Sequence, residues 1–407
     1  MLDMTMRLRL STMLFLEFFV WGAWFVTLGT YLAVELEATG SQIALAFLTQ
    51  SLGAILAPFI VGLIADRFFS AQRILGVLHV VSAVMLFLAG RQDSFGAFFV
   101  CALLAMIAFM PTLALVNSIS FRRMESPEKQ FPGVRLFGTV GWIVAGLLIG
   151  WLGWEGGERL ELTFVMAALG SAALGVYAFT LPDTPPHGRG ERPTVRDVLG
   201  LDALALLRSR SYLVFFIASV LICIPLAFYY NFTNLYLNEI GVSGAAGWQT
   251  LGQFSEVAFL LAMPLMLRKL GVKRTLLIGM AAWALRYVLF ALGDADSLFA
   301  LVLLGLVLHG VCYDFFFVAG QIYTDRFAPA RVRSAAQGLI SLATYGVGLL
   351  IGSLVSGPIV DAFLRADGTH AWQSVWLIPA ALAVVVAVFF VLAFREDAPA
   401  PVPSESS

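Results

Sequence analysis

Long apolar segments separated by short polar connections fill almost the whole chain. A helix needs about 20 residues to cross the hydrocarbon core of a membrane. Twelve segments reach that length and are predicted to be membrane-spanning α-helices: 8–34, 42–66, 73–91, 95–121, 132–153, 161–181, 211–237, 247–267, 273–293, 297–323, 334–362 and 371–394. The pattern therefore predicts an all-α membrane protein.

The longest polar stretch lies between the sixth and seventh segments. It covers residues 182–210, is rich in proline and glycine, and contains an amphipathic pattern over Asp197–Leu207. This composition predicts a linker with a short helix lying along the membrane surface. The predicted domains are two six-helix bundles, 1–181 and 211–396, joined by this cytoplasmic linker and followed by a disordered tail at 397–407.

Basic residues are distributed unevenly between the two sides of the predicted bundle. Twenty of the 25 Lys and Arg residues fall on the side that holds both termini, and three fall on the other side. Because Lys and Arg concentrate in cytoplasmic loops, both termini are predicted to be cytoplasmic. The first segment contains Glu17 and lacks a small-residue cleavage site, which predicts a retained helix rather than a signal peptide.

Composition excludes several other classes of protein. Hydrophobic residues make up 60% of the chain and charged residues 13%, whereas soluble proteins carry about 25% charged residues. The net charge of −1 gives no field that would attract nucleic acid. Three isolated cysteines predict neither a disulfide framework nor a metal site. The chain lacks HExxH, GxSxG and Walker motifs, which argues against an enzyme.

Four of the ionisable residues inside the predicted spans are candidates for the transport chemistry: Glu17, Arg135, Glu256 and Asp314. A charge at the membrane centre costs at least ~2.5–3.5 kcal/mol, so it usually faces a partner or a water-filled path. Glu256 and Asp314 have no opposite charge nearby on their own helices, so each needs a partner across the bundle, such as Arg135, or a proton. An acid that alternates between those settings carries protons, whereas a permanently paired acid is structural. We predict that Asp314, Glu256 and Glu17 couple protons to transport.

Helical spacing groups further side chains around these charges. Arg135, Thr139 and Trp142 share one face of the fifth segment. Gln253 shares a face of the eighth segment with Glu256. Arg135 is one turn into its helix, so a snorkelling structural arginine is an equal alternative to a cavity residue.

Other polar residues in the spans have two open interpretations. Trp21 and Trp24 share a face with Glu17 and would either serve a ligand or pack. Isolated histidines such as His79 and His309 are ordinarily satisfied by backbone carbonyl groups. Arg286 is expected to snorkel or to pair within its own half.

A short motif connects the second and third segments and consists of Gly62, Asp66, Arg67 and the following Arg73. It resembles the loop signature of the major facilitator superfamily and is predicted to act as a gate. Gly62 would let two helices approach closely, while Asp66 would bind a basic group or a helix N-terminus of the other half. The alternative is an ordinary charged turn. The corresponding loop of the second half, 268–274, keeps the basic residues but has no acid.

The chain also resembles the bacterial nucleoside:proton symporters of the major facilitator superfamily over nearly its whole length. The similar stretches of the first half are Trp21-Gly22-Ala23-Trp24, Leu28-Gly29-Thr30-Tyr31, Met110-Pro111-Thr112-Leu113, Asn117-Ser118-Ile119-Ser120 and Arg135-Leu136-Phe137-Gly138-Thr139. Those that follow are Leu199-Gly200-Leu201-Asp202-Ala203, Ser255-Glu256, Asp314-Phe315-Phe316, Ser334-Ala335-Ala336-Gln337-Gly338 and Trp372-Gln373-Ser374-Val375-Trp376-Leu377.

The resemblance implies a twelve-helix symporter that imports nucleosides with protons across the bacterial inner membrane by alternating access. It implies the fold of two six-helix bundles, a proton gradient in place of a cofactor, and a monomer. It also assigns the matching positions to the central cavity: Arg135, Thr139, Gln253, Glu256 and Asp314.

Several positions depart from the pattern of this family. Ala227 and Tyr230 stand where polar residues contact the nucleoside, Phe317 replaces an asparagine, and Glu17 replaces a glutamine. Trp142, Tyr230 and Phe317 are therefore predicted to bind substrate through aromatic surface, since stacking contributes ~1–3 kcal/mol per base in nucleic-acid complexes. A symporter for another hydroxylated solute, such as a sugar or glycoside, is the alternative. A drug exporter or a channel is less favoured.

Overall fold

The computed structural model describes residues 3–60, 69–156, 159–185, 201–329 and 332–395. The first half contains α1 (Met4–Glu35), α2 (Gly40–Ile60), α3 (Ala71–Ala89), α4 (Phe95–Phe121), α5 (Pro127–Leu152) and α6 (Glu161–Ala178). The second half begins with α7 (Arg210–Glu239) and the helical stretch Ala245–Leu292, which contains α8 and α9. It ends with α10 (Phe299–Phe327), α11 (Ala335–Ala362) and α12 (Trp372–Ala393).

Gly271 divides the 48-residue stretch Ala245–Leu292 into two spans. Its backbone angles, φ 72° and ψ 174°, lie in a region that is essentially restricted to glycine. The ring of Phe259 contacts that of Phe315, and Gly279 lies against Phe316, so positions 259 and 279 lie at the same depth. The chain therefore reverses at Gly271, between α8 (245–270) and α9 (272–292).

Eleven described helices are long and apolar enough to cross a membrane. Dividing Ala245–Leu292 at Gly271 gives twelve spans, so the predicted all-α fold is confirmed. The sequence predicted a loop at 268–272, but Gly271 is the one residue of that stretch with non-helical backbone angles. Glycine can adopt the backbone angles that this reversal requires. Residues 61–68, which include three of the four predicted gate residues, lie outside the described ranges.

The linker differs from its prediction in its last part. Leu201–Arg208 forms a 3₁₀ helix rather than the end of an α-helix, and it packs against α7 and the start of α11. Ala203 and Leu206 are buried in that contact, so packing on the bundle determines its geometry. The first part of the predicted amphipathic helix and the tail at 397–407 lie outside the described residues, and the domain boundaries stay a prediction.

Three pairs of helices bring the two halves together: α1 with α7, α2 with α11, and α5 with α8. Helices α2 and α8 are six apart in chain order, and so are α5 and α11. The α2–α11 and α5–α8 contacts therefore correspond to each other in the two halves. We name the two ends of the bundle by their connections. The linker end carries the start of α1 and the linker, and the far end carries the α1–α2, α5–α6, α7–α8 and α11–α12 connections.

Candidate functional site

A small cavity lies between the two halves, where α1 and α5 face α7 and α8. Its volume is about 40 Å³. The first half contributes Phe25, Val26, Trp142 and Gly146, and the second half contributes Tyr229, Tyr230, Ala246, Gln249, Thr250 and Gln253. The walls thus combine aromatic rings with amide and hydroxyl groups, as binding sites for small organic molecules commonly do.

Packing within the first half fixes the position of Trp142. Its ring meets that of Trp21 at a centroid distance of 5.5 Å in an edge-to-face arrangement. Gly22 permits this contact, because a Cβ atom there would come within 3.2 Å of the indole. The structure therefore brings the predicted residues Trp142, Tyr230 and Gln253 to one cavity.

The charged residues Arg135 and Glu256 lie closer to the linker end than this cavity. The Arg135 guanidinium carbon is 4.0 Å from the centre of the Phe18 ring, a cation–π contact between α5 and α1. Arg135 and Glu256 interact electrostatically across the space between the halves. Among the described residues, however, no carboxylate lies within the 4.0 Å ion-pair limit of Arg135. Arg135 therefore rests on an aromatic ring of its own half while it faces Glu256 of the other half, and the choice between a cavity residue and a structural arginine stays open.

Asp314 has a different environment from Glu256. Its side chain is 0% exposed, and neither carboxylate oxygen has a hydrogen-bond partner among the residues that the structure describes. It begins a π-helical segment, Asp314–Val318, which interrupts α10. Such segments often occur at functional sites. A second π-helical segment, Leu342–Gly348, lies in α11.

Tyrosine side chains connect these two irregular segments. The hydroxyl groups of Tyr313 and Tyr345 hydrogen-bond to each other between α10 and α11. Phe317 lies behind them, 7% exposed, with its ring against those of Trp283 and Tyr313. Phe317 is not among the residues that line the central cavity. Its ring instead packs against that of Tyr313 and supports it.

Glu17 and His79 form a buried pair within the first half. The Glu17 Oε2 and His79 Nε2 atoms are 2.9 Å apart, and both side chains are fully buried. Thr112 donates to Glu17 Oε1 at 2.6 Å, and Ser171 lies 3.0 Å from His79 Nδ1. The expectation that a backbone carbonyl would satisfy His79 was wrong, because packing of α3 against α1 and α6 supplies side-chain partners from both of those helices.

Arg286 does not snorkel, because its side chain is fully buried in the second half. Its Nε atom donates to the Gly305 carbonyl at 3.1 Å, and its guanidinium lies 4.1 Å from the Tyr229 ring centre. Tyr229 in turn stacks on His309 at 5.3 Å. The His309 Nε2 atom is 4.0 Å from Glu256, and its Nδ1 atom has no partner among the described residues.

Only one of the four predicted gate residues can be placed. Arg73 is exposed and interacts electrostatically with Asp183 at the start of the linker. Hydrogen bonds from Ser70 and Gln72 hold the pKa of Asp183 below its usual value, and Arg73 and Arg123 add to that effect. The partner of Arg73 thus lies beside its own half. Gly62, Asp66 and Arg67 lie outside the described residues.

A larger cavity, about 340 Å³, lies at the far end of the second half. Its wall includes Tyr236, Arg365, His370 and Trp372. Glu239 accepts hydrogen bonds from the indole of Trp372 and the backbone of His370, which fixes two sides of this cavity. All the residues that line this cavity come from the second half. Movement of the two halves relative to each other would therefore not open or close the cavity to solvent. The smaller central cavity is therefore the better candidate for transport.

Two helical halves that enclose a polar cavity at mid-bundle define a secondary transporter. The family model described as "Nucleoside H+ symporter" matches residues 4–399. The chain therefore belongs to the nucleoside:proton symporter family, and it is a transporter rather than an enzyme.

Curated relatives cover nearly the full length of the chain. It is 43% identical over 400 residues to the putative nucleoside transporter YegT of Escherichia coli, with 96% of this chain and 94% of YegT covered. It is 34% identical to the xanthosine permease of the same organism, with 96% of each chain covered. A crystal structure of the nucleoside transporter NupG superposes with a TM-score of 0.86 at 32% identity, covering 97% of this chain and all of NupG. The predicted family and fold are confirmed.

Proposed function

We propose that this protein imports nucleosides together with protons across the bacterial inner membrane, driven by the proton gradient and acting as a monomer. The linker end, with both termini, faces the cytoplasm, because it carries most of the basic residues. Family membership supports proton symport, and the names of the relatives support a nucleoside as substrate.

The observation that carries the proton coupling is the isolation of Asp314. A buried carboxylate that has no hydrogen bond and no counter-ion is too costly to remain ionised, so it binds a proton instead. Asp314 is therefore protonated in the state described here, in which contacts between the halves close the far end. When water or a cation reaches it in another state, the same carboxyl group releases its proton.

Glu256 and Arg135 provide the second part of the coupling. They belong to opposite halves, and their electrostatic interaction changes whenever the halves move apart. Glu256 keeps 22% of its side chain exposed, so water can reach it while Asp314 remains dry. The carrier closes readily when both acids are protonated or paired, because closing around an unpaired carboxylate would bury a charge.

The nucleoside binds in the central cavity and in the space between that cavity and Arg135. Trp142 and Tyr230 provide aromatic faces for the base, while Gln253 and Thr139 provide hydrogen bonds for base or ribose. Phe317 contributes by supporting the Tyr313 ring. The present volume of about 40 Å³ holds only a few water molecules, since one water needs roughly 10–15 Å³ of such space. The two halves must therefore separate at this level to admit the substrate.

The role of Glu17 stays a prediction, and its environment differs from that of the other two acids. Both of its oxygens have partners inside the first half, and no surface is exposed. Its hydrogen bonds to His79 and Thr112 support a structural role within the first half. The transported proton is assigned to Asp314 and Glu256.

Uptake of radiolabelled uridine and adenosine into proteoliposomes tests this function. We expect an inward proton gradient to drive accumulation, and other nucleosides to compete where ribose and glucose do not. Sugar uptake without nucleoside uptake would contradict the proposal. It would indicate that Ala227, Tyr230 and Phe317 accompany a change of substrate class on the same fold.

A further inference from the structure

Two carboxylate groups at the far end of the molecule each bind the N-terminus of a helix in the opposite half. Glu155 belongs to the short 3₁₀ helix Trp154–Gly156, which follows α5 in the first half. Asp361 lies at the end of α11 in the second half. Neither acid was predicted from the sequence to be functional.

Glu155 joins the first half to α7 and α8. Its two oxygens lie 3.2 and 3.0 Å from the backbone N–H of Ala246, in the first turn of α8. The side-chain amides of Asn234 and Asn238 also donate to Oε1, at 2.7 and 3.3 Å. The carboxylate therefore accepts hydrogen bonds from three residues of the other half.

Asp361 makes the equivalent contact with α2. Its Oδ1 atom accepts a hydrogen bond from the Gly40 N–H at 2.5 Å. Its Oδ2 atom accepts from the N–H and the hydroxyl group of Ser41, at 3.0 and 2.5 Å. These donors are the first residues of α2, whose own helical hydrogen bonds cannot satisfy them.

The two contacts are related by the repeat of six helices in the fold. In one, an acid after α5 binds the start of α8; in the other, an acid at the end of α11 binds the start of α2. Helices α5 and α11 are six apart in order, as are α2 and α8. Two halves of a transporter related in this way are expected to use corresponding positions for corresponding contacts.

Glycines bring the backbones together beside each carboxylate. A Cβ atom at Gly150 would lie 3.0 Å from Gly247 N and 3.3 Å from Gly244 O, across the α5–α8 contact. A Cβ atom at Gly357 would lie 2.7 Å from the Ser41 Cα atom, across the α2–α11 contact. Such close backbone contact leaves no room for water, so separation of the halves at the far end must break both carboxylate contacts.

We propose that Glu155 and Asp361 form paired latches that hold the far end of the transport path closed. This inference rests on alternating access in the proposed function, and it adds the residues that control one of the two openings. Removing both acceptors leaves the N–H groups at the starts of α2 and α8 without these carboxylate partners, which destabilises the closed state. The amides of Asn234 and Asn238 lose one acceptor but keep Gln249 and Asn234 as partners. The far-end-open state then becomes more populated.

Accessibility of the central cavity from the far end tests the latches without any transport measurement. Thr250→Cys places a thiol in the cavity wall, and Cys101→Ala removes the half-buried native thiol. Cys223 and Cys312 are fully buried and remain. An impermeant maleimide is added from each side of the membrane in separate experiments, using whole cells and inverted vesicles.

In the Glu155→Ala, Asp361→Ala double variant, we expect labelling from the far end to rise by about tenfold or more and labelling from the linker end to fall. Tenfold corresponds to a shift of about 1.4 kcal/mol between the two states. The variant with Glu155→Gln and Asp361→Asn keeps one acceptor oxygen at each position, and we expect it to remain closer to the parent. Asp367→Ala is the matched control, since Asp367 at the same end bonds to Thr369 in its own turn and to no helix of the other half among the described residues.

Labelling of the alanine double variant at the parental rate, or an equal increase in Asp367→Ala, would overturn the latches. If the double variant does not fold, Ser41→Ala removes a single hydroxyl donor to Asp361, and we expect a smaller increase in the same direction. An unchanged rate in that variant would count against the α2–α11 contact. The labelling rates do not depend on which substrate the protein carries. A failure of nucleoside uptake would therefore contradict the proposed substrate without contradicting the latches.

Discussion

The carboxylate of Glu17 and the imidazole of His79 lie 2.9 Å apart in the first half of the molecule, and neither is accessible to solvent. Ser171 donates to the His79 carbonyl at 2.9 Å while its oxygen lies 3.0 Å from His79 Nδ1. With the Ser171 proton on that carbonyl, Nδ1 must be the donor to Ser171. The Nε2 atom of the same ring lies 2.9 Å from Glu17 Oε2, so the imidazole and the carboxylate satisfy each other inside the bundle.

His79→Ala is expected to lower the thermal stability of the protein substantially, because it leaves the Glu17 carboxyl group without the imidazole. Removal of one partner of a buried ion pair typically costs about 3–5 kcal/mol. Thermal unfolding in detergent measures the effect. Ser82→Ala is the matched control, since Ser82 is buried on the same helix and its hydroxyl has no partner among the described residues. Equal melting temperatures for the two variants would contradict a stabilising role.

The variant Glu17→Gln distinguishes a structural role of Glu17 from a role in proton coupling. Glutamine can still donate to His79 and accept from Thr112, so we expect a folded protein that retains both nucleoside exchange and gradient-driven accumulation. Parallel measurements of counterflow and uphill uptake decide the point. Intact counterflow with lost accumulation would instead assign a transported proton to Glu17, as the sequence predicted.

Trp142→Ala is expected to weaken nucleoside binding. Loss of one stacking surface corresponds to ~1–3 kcal/mol, or roughly 5- to 150-fold in the KM of uptake. Trp151 on the same helix is 82% exposed and provides the control, since Trp151→Ala removes an indole far from the cavity. The same increase in KM for both variants would show that Trp142 acts through general stability rather than by contacting the base.

Acidification at the far end is expected to favour the closed state through Glu155. Burial raises the pKa of Glu155 above its ordinary value, and the hydrogen bonds from Ala246, Asn234 and Asn238 oppose this only in part. Opening returns the carboxylate to water, where its pKa is ordinary, so the closed state binds the proton more tightly. The closed state therefore gains stability as pH falls through the raised pKa towards the ordinary value.

Maleimide labelling of Thr250→Cys from the far end measures this dependence. Its rate is divided by that of Asp93→Cys, an exposed position at the same end, to remove the pH dependence of the thiol itself. We expect the normalised rate to decrease as the pH is lowered. Glu155→Gln is expected to abolish this pH dependence. A normalised rate that increases on acidification would show that the sign is wrong.

Gly271→Ala is expected to destabilise the reversal between α8 and α9 by about 1–3 kcal/mol, because alanine is strained at φ 72° and ψ 174°. Gly338→Ala is the control: Gly338 is helical, and among the described residues no atom lies within 4 Å of the position that a Cβ atom would take there. We expect that substitution to be neutral or stabilising. Melting temperatures in detergent distinguish the two, and equal values would contradict the strain at Gly271.

Hydropathy predicted the twelve spans because each must match the thickness of the membrane, and this requirement acts locally along the chain. Charge inside a span likewise identified Arg135, Glu256 and Asp314. Their partners could not be predicted, since Arg135 meets the Phe18 ring through packing of α5 on α1. The pairing of Glu17 with His79, 62 residues apart, depends in the same way on how α1 packs against α3.

The far-end acids were missed for a different reason. Glu155 and Asp361 lie where acids are common, at the ends of spans, so neither is unusual by itself. A signal was nevertheless present in the sequence: Glu155 follows a glycine-containing helix, Asp361 lies at the end of another, and the two helices are six apart in order. The substrate-binding role of Phe317 stays a prediction, and its ring contacts with Tyr313 and Trp283 depend on how the helices pack, which the sequence does not show.

In the proposed mechanism the buried Asp314 carries the proton that drives accumulation, and Asp314→Asn removes that proton site. Steady-state accumulation of uridine under an inward proton gradient is compared with counterflow in the absence of a gradient, with Asp367→Asn as the control. We expect Asp314→Asn to lose accumulation above equilibrium but to retain counterflow, because asparagine resembles the protonated acid and cannot release a proton. Full gradient-driven accumulation by Asp314→Asn would contradict this mechanism.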